Sequence, residues 1–130
     1  MYKRQAEFET FGRPYDRRVL DSAADLWANM VHLHGSRVMF DLVADYPVPL
    51  LNWHDRDTGI NLRDGLAAFP GAASGGVSQW TIHREGPADL LAEVADARAQ
   101  TGGRRLLLGT GCVIMTTTPL RNIRALREAV

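Results

Sequence analysis

Two histidines separated by one residue, together with a lone cysteine, are the side chains best suited to chemistry in this sequence. His32 and His34 lie in a short apolar segment, so on a strand both imidazoles share one face while Val31 and Leu33 share the other. Their backbones are then about 6.6 Å apart, and both rings can reach one metal ion. Cys112 could add a thiolate, and three protein ligands with one open position are typical of catalytic zinc.

A second polar pair, His54 and Asp55, follows the next apolar segment and could act as acid or base. The alternative for Asp55 and Asp57 is a solvated loop with Arg56 as the counter-charge. The two earlier histidines could likewise be a hydrogen-bonded inward-facing pair, and Cys112 a small apolar side chain. The residue types and their spacing leave these alternatives open.

The elements that must position these residues alternate between strands and helices. The pattern predicts strands over 29–34, 48–52, 72–77 and 105–108, and helices over 7–25, after Ser36, over 61–69, over 87–100 and from Pro119 onward. Alternation with nearly continuous apolar strands indicates parallel strands that are joined by crossover helices and buried on both faces. An open doubly wound sheet and half of a (β/α)8 barrel both fit.

Polar residues collect at the C-terminal ends of these predicted strands, which is the edge that carries the site in parallel α/β folds. They are His32, His34, Asn52, His54, Asp55, Ser78, Thr110 and Cys112. Since the strands that lead to His34 and Cys112 are not neighbours, a metal site that joins them is predicted to need a closed barrel.

Composition narrows the classes of partner. Fifteen acidic residues balance fifteen basic ones, so no electrostatic feature indicates nucleic acid or an anionic membrane. No apolar run approaches the roughly 20 residues of a membrane helix. One cysteine and a polar start without a secretory signal favour the cytoplasm. Residues 1–5 resemble translated adapter sequence, so we predict a non-native leader there and a partial barrel domain over 6–130.

A family resemblance covers nearly the whole chain after about residue 6. The motifs that carry it are Arg13-Pro-Tyr-Asp16, His32-Leu-His-Gly35, Leu50-Leu-Asn-Trp-His-Asp55, Phe69-Pro-Gly-Ala72, Gly75-Gly-Val77, Gly86-Pro-Ala, Gly109-Thr-Gly-Cys112 and Thr118-Pro-Leu-Arg-Asn122. In this order they resemble the C-terminal part of the uroporphyrinogen decarboxylase family. The resemblance implies the C-terminal half of a (β/α)8 barrel from a longer enzyme, with the fragment inactive alone.

The resemblance implies first a tetrapyrrole carboxy-lyase that needs no cofactor, with His54 and Asp55 as its catalytic or contact residues. The final loop, however, lacks the histidine that the decarboxylases carry near positions 110–111. Relatives in the family imply a second activity, zinc-dependent methyl transfer between a corrinoid protein and a thiol. His32 and Cys112 match their first and last zinc ligands, and His34 replaces the middle one. A third alternative is a half-barrel module, without activity of its own, that closes as a homodimer.

Overall fold

A computed structural model describes residues 5–130, so the predicted leader lies outside the described residues except for Gln5. The described chain forms one parallel sheet of four strands in the order β1-β2-β3-β4. The strands are β1 (Met30–Leu33), β2 (Leu50–Trp53), β3 (Ala72–Val77) and β4 (Leu106–Thr110). The helices are α1 (Gln5–Phe11), α2 (Arg13–Ser22), α3 (Leu62–Ala68), α4 (Gln79–Arg84), α5 (Pro87–Thr101) and α6 (Leu120–Glu128).

The sequential strand order with helices between the strands is half of a (β/α)8 barrel, so the predicted fold class is confirmed. One face of the sheet is buried: Leu51 and Trp53 are fully inaccessible, and Trp53 packs edge-on against Phe40. The opposite, concave face is open at its two outer strands, where Met30 and Leu107 are each about half exposed, whereas Asn52 and Ser74 on the central strands are buried. Within residues 5–130, none of the helices combines the length and apolar character needed to cross a membrane.

Our prediction of a helix after Ser36 is wrong. Only a single 3-10 turn, Phe40–Leu42, forms there, and no side chain caps its start. Phe40 and Val43 are both 3% exposed and insert into the core beside Trp53. These two anchors hold the segment in place, so burial and not helical periodicity determines its backbone.

Helix α4 was missed because its apolar pattern is short. Ser78 precedes it, and the Ser78 hydroxyl accepts a hydrogen bond from the backbone N–H of Trp80. This is an N-cap, which was the available signal in the sequence. Ser78 therefore contributes to the start of a helix, and its polar side chain is buried there.

The alternative of a solvated loop does not hold for Asp55 and Arg56, although Arg56 is the expected counter-charge, with its Nε 3.5 Å from Asp55 Oδ2. The side chain of Asp55 is 2% exposed and that of Arg56 is 18% exposed. The Arg56 guanidinium donates to the carbonyls of Gly76 and Glu93 and forms an ion pair with Asp96. A long cationic side chain therefore ties the end of β2 to β3 and α5.

Replacing Arg56 with methionine is expected to lower the free energy of unfolding by at least about 2 kcal/mol. The change removes three donated hydrogen bonds to carbonyls and leaves the buried Asp55 carboxylate without its nearest cation. Urea unfolding followed by tryptophan fluorescence measures the effect. Arg104→Met is the control, because Arg104 is exposed. Equal midpoints for the two variants would contradict the assigned role.

Candidate metal centre

Four side chains converge at the C-terminal edge of the sheet: His32, His34, His54 and Cys112, called here the His/Cys cluster. One nitrogen of each imidazole and the Cys112 sulfur all lie within 4.8 Å of one another. The Cys112 Sγ is 3.7 Å from His32 Nε2 and 3.7 Å from His34 Nδ1. The Nε2 atom of His54 is 3.5 Å from the same His34 Nδ1.

These spacings fit the donor set of a zinc ion. Zinc–nitrogen bonds of about 2.0–2.1 Å and zinc–sulfur bonds of about 2.3 Å, at tetrahedral angles, place neighbouring donors roughly 3.3–3.6 Å apart. Three of the six separations among the four donors, at 3.5 and 3.7 Å, are close to these values, and the rest are at most 4.8 Å. Imidazole and thiolate are also the ligand types that zinc prefers. Donor chemistry and geometry thus both suit this metal.

The path of the loop after β4 explains how Cys112 reaches β1 from the opposite edge of the sheet. The N–H of Gly111 donates to the carbonyl of Val77 at the end of β3. A Cβ built on Gly111 would lie 2.7 Å from the Trp53 carbonyl oxygen and 3.1 Å from the His54 Cα, at the end of β2. The loop therefore crosses β3 and β2 before it delivers the sulfur. Cys112 thus contacts His32 and His34 within the half barrel, so the expectation that only a closed barrel could bring these side chains together is wrong.

The side chain of Asn52 contacts the His32 ring nitrogen that faces away from Cys112. Asn52 lies opposite His32 in the β1–β2 register and is 6% exposed. Its Oδ1 is 2.5 Å from His32 Nδ1, so the other ring nitrogen, Nε2, faces the sulfur of Cys112. Metal-binding histidines usually have such a partner on the ring nitrogen that does not bind the metal.

His54 belongs to the cluster itself. It is 7% exposed, and its Nδ1 lies 3.7 Å from an Asp57 carboxylate oxygen. Burial, followed by the proximity of His34 and His32, lowers the pKa of His54 below its usual value, although Asp57 opposes the shift. His54 is therefore a neutral imidazole at pH 7, which can accept a proton or bind a metal.

Asp55 has different contacts from His54. Its carboxylate accepts the N–H of Gly76 and faces Arg56, and it is not a member of the His/Cys cluster. Burial raises the pKa of Asp55, while the hydrogen bond from Gly76 and the nearby guanidinium oppose the shift. These contacts join β2 to β3. The catalytic role assigned to Asp55 from sequence stays a prediction.

The cluster borders a cleft of about 740 Å³ on the concave face of the sheet. Its walls combine the two strand histidines and Cys112 with apolar side chains of the outer strands and the final loop, including Met30, Leu107, Val113 and Ile114. Clefts of this size, largely apolar with a few polar groups, accept small molecules. A ligand in this cleft would reach the His32, His34 and Cys112 side chains directly.

Sequence reasoning missed two features of this site. It placed His54 among candidate acids and not among candidate ligands, although a histidine two residues past the end of a neighbouring strand could have been weighed as both. It also gave Asn52 no role beyond its place at a strand end. The register that sets Asn52 beside His32 was the available signal, but it requires the order of the strands.

The fold and the His/Cys cluster together define a parallel half-barrel protein with a candidate metal centre at its strand ends. A solved structure described as a methyltransferase from Methanosarcina mazei is similar, with a TM-score of 0.81 and 22% sequence identity. The match covers 95% of this chain and 36% of that chain, and at this identity it shows the fold alone. No family model and no curated protein matches the sequence.

Proposed function

We propose that this chain is the metal-binding part of a zinc-dependent methyltransferase that activates a thiol. The observation that carries the proposal is the convergence of three donors: Cys112 Sγ lies 3.7 Å from His32 Nε2 and from His34 Nδ1, and the ligand atoms of the cluster all lie within 4.8 Å of one another. The named activity of the similar structure supports this choice over the carboxy-lyase.

In this proposal His32, His34 and Cys112 would hold the metal. A zinc ion bound there would lower the pKa of a substrate thiol and so favour the thiolate at neutral pH. The cleft on the concave face gives the substrate access to the side chains of His32, His34 and Cys112. The apolar side chains around it limit water near the reacting sulfur.

His54 is the base in this proposal, because its Nε2 lies 3.5 Å from His34 Nδ1, next to the proposed ligands. Burial lowers the pKa of His54 and so favours the neutral imidazole, which has a lone pair that can accept the thiol proton. The sulfur lone pair then forms a bond to the methyl carbon while the bond from that carbon to its donor breaks. The electron pair of the broken bond stays on the donor, for which the cobalt of a corrinoid protein is suited.

The whole reaction is proposed for a longer protein. The chain spans 36% of the similar methyltransferase, and the concave face of its sheet is exposed at Met30 and Leu107 on the two outer strands. We therefore assign metal and thiol binding to this chain, and methyl transfer to the protein with its remaining half barrel. The carboxy-lyase activity, its tetrapyrrole substrate and the homodimer stay predictions, because no described contact and no comparison favours them.

Thiol binding by the cobalt(II)-loaded chain tests the proposal. Titration with 2-mercaptoethanesulfonate is expected to increase the thiolate-to-cobalt charge-transfer absorption, whereas ethanesulfonate, which lacks the thiol, leaves the spectrum unchanged. His54→Gln should retain the metal and bind the thiol more weakly at pH 7. A thiol that produces no spectral change contradicts the function. A more than about 100-fold loss of metal affinity in His54→Gln would make His54 a fourth ligand and not the base.

A further inference from the structure

We propose that Asn52 is a positioning residue that sets the His32 tautomer and the loop carrying Cys112 before any metal binds. The inference rests on the proposed metal site and extends it to a residue that does not bind the metal. Asn52 lies on β2, and its side chain contacts β1, β3 and the end of β4. One buried amide therefore joins all four strands at the edge that carries the cluster.

The orientation of the Asn52 amide follows from its neighbours. Its Nδ2 is 2.7 Å from the carbonyl oxygen of Ser74 and 3.0 Å from that of Thr110. Both partners are acceptors only, so the atom that faces them must be the NH2 group. The carbonyl oxygen of the amide then points to His32 and can only accept a hydrogen bond there.

The His32 tautomer follows in turn. The 2.5 Å contact between Asn52 Oδ1 and His32 Nδ1 requires the proton on Nδ1. A neutral imidazole with its proton on Nδ1 has a lone pair on Nε2. That nitrogen is the one 3.7 Å from the Cys112 sulfur, so the lone pair is available to a metal in the cluster. Asn52 thus prepares His32 as a ligand.

The same amide holds the start of the loop that carries the sulfur. The carbonyl of Thr110 accepts from Asn52, and the Thr110 hydroxyl donates to the carbonyl of Cys112. This chain of hydrogen bonds links Asn52 to the backbone of the cysteine ligand. Two of the three proposed ligands, from opposite edges of the sheet, therefore depend on one residue.

Two variants separate the two roles. Asn52→Leu has similar volume and removes every hydrogen bond of the side chain. Asn52→Asp keeps an acceptor for His32 but loses the donors to Ser74 and Thr110. Asn122→Leu is the matched control, because Asn122 is also buried and also donates to two carbonyls, those of Ile82 in α4 and of Glu85 directly after it.

The first readout is nitrogen-15 NMR of the metal-free chain at a pH where histidine is neutral. The wild type and Asn52→Asp should have the His32 proton on Nδ1, and Asn52→Leu should shift it largely to Nε2. The second readout is zinc affinity by competition with a chromogenic chelator. The zinc affinity of both Asn52 variants should be roughly 10- to 100-fold lower than that of the wild type, and Asn122→Leu should bind zinc as the wild type does.

The outcomes distinguish this inference from the proposed function. A proton on Nε2 of His32 in the wild type overturns the inference whether or not zinc binds, and it needs no variant to fold. Unchanged zinc affinity in a folded Asn52→Leu overturns it as well. A proton on Nδ1 in a wild type that binds no zinc leaves the tautomer assignment standing and removes the metal function.

Discussion

Replacing Cys112 with alanine is expected to lower the zinc affinity of the chain by more than about 100-fold. Removing a residue that hydrogen-bonds to a metal ligand typically lowers metal affinity 10- to 100-fold, and removing the ligand itself lowers it further. Cys112 also supplies the single thiolate of the cluster. Metal analysis of protein purified without chelators, followed by chelator competition, measures the effect. The wild type should contain one zinc ion per chain.

His83 provides the matched control for this experiment. It is the one histidine of the sequence outside the cluster, and its Nδ1 lies 3.3 Å from the Thr118 hydroxyl. His83→Ala should keep the full zinc content, whereas His32→Ala should behave like Cys112→Ala. If Cys112→Ala kept one zinc ion per chain, this would contradict the proposed metal site. Affinity should also fall as the pH is lowered, because protons compete for the imidazole and thiolate donors.

A single methyl group at position 111 is expected to disturb both stability and metal binding. In Gly111→Ala the new Cβ would lie 2.7 Å from the Trp53 carbonyl oxygen and 3.1 Å from the His54 Cα, so backbone must move. We expect the free energy of unfolding to fall by roughly 1–3 kcal/mol. Displacement of the adjacent Cys112 should lower zinc affinity at least about 10-fold. Urea unfolding and chelator competition measure the two effects.

Gly109→Ala is the control for this prediction, since it adds the same methyl group two residues earlier in the chain. The nearest atom to its built Cβ, the carbonyl oxygen of Leu107, is 4.0 Å away. This variant should change stability by no more than about 0.5 kcal/mol and leave zinc affinity unchanged. If the two alanine variants behave alike, the loop does not pass as closely over β2 as the structure indicates.

Local patterns in the sequence were sufficient for the fold class and for part of the site. Alternating apolar strands and amphipathic helices predicted parallel strands, and the sheet contains four of them in sequential order. The spacing of His32 and His34 predicted a shared face, because side chains alternate along any strand. Both properties depend only on residues close together in the chain, so no tertiary information is needed for them.

The same reasoning failed where distant segments decide the conformation. The segment after Ser36 has helical periodicity, but Phe40 and Val43 insert into a core formed by other strands, and a 3-10 turn results. The sequence around Arg56 is typical of a surface loop, yet the Arg56 guanidinium donates hydrogen bonds to carbonyls on β3 and α5. In both cases contacts across tens of residues outweigh the local preference.

The assembly of the candidate metal centre was decided by tertiary structure alone. Nothing in the order of residues shows that the loop after β4 crosses two strands to bring Cys112 to His32, 80 residues away. The role of Asn52 likewise requires the strand register, which pairs it with His32. The sequence determined which side chains could bind a metal. Only the packing of the loop over the sheet, at a glycine without a Cβ, determined that they meet.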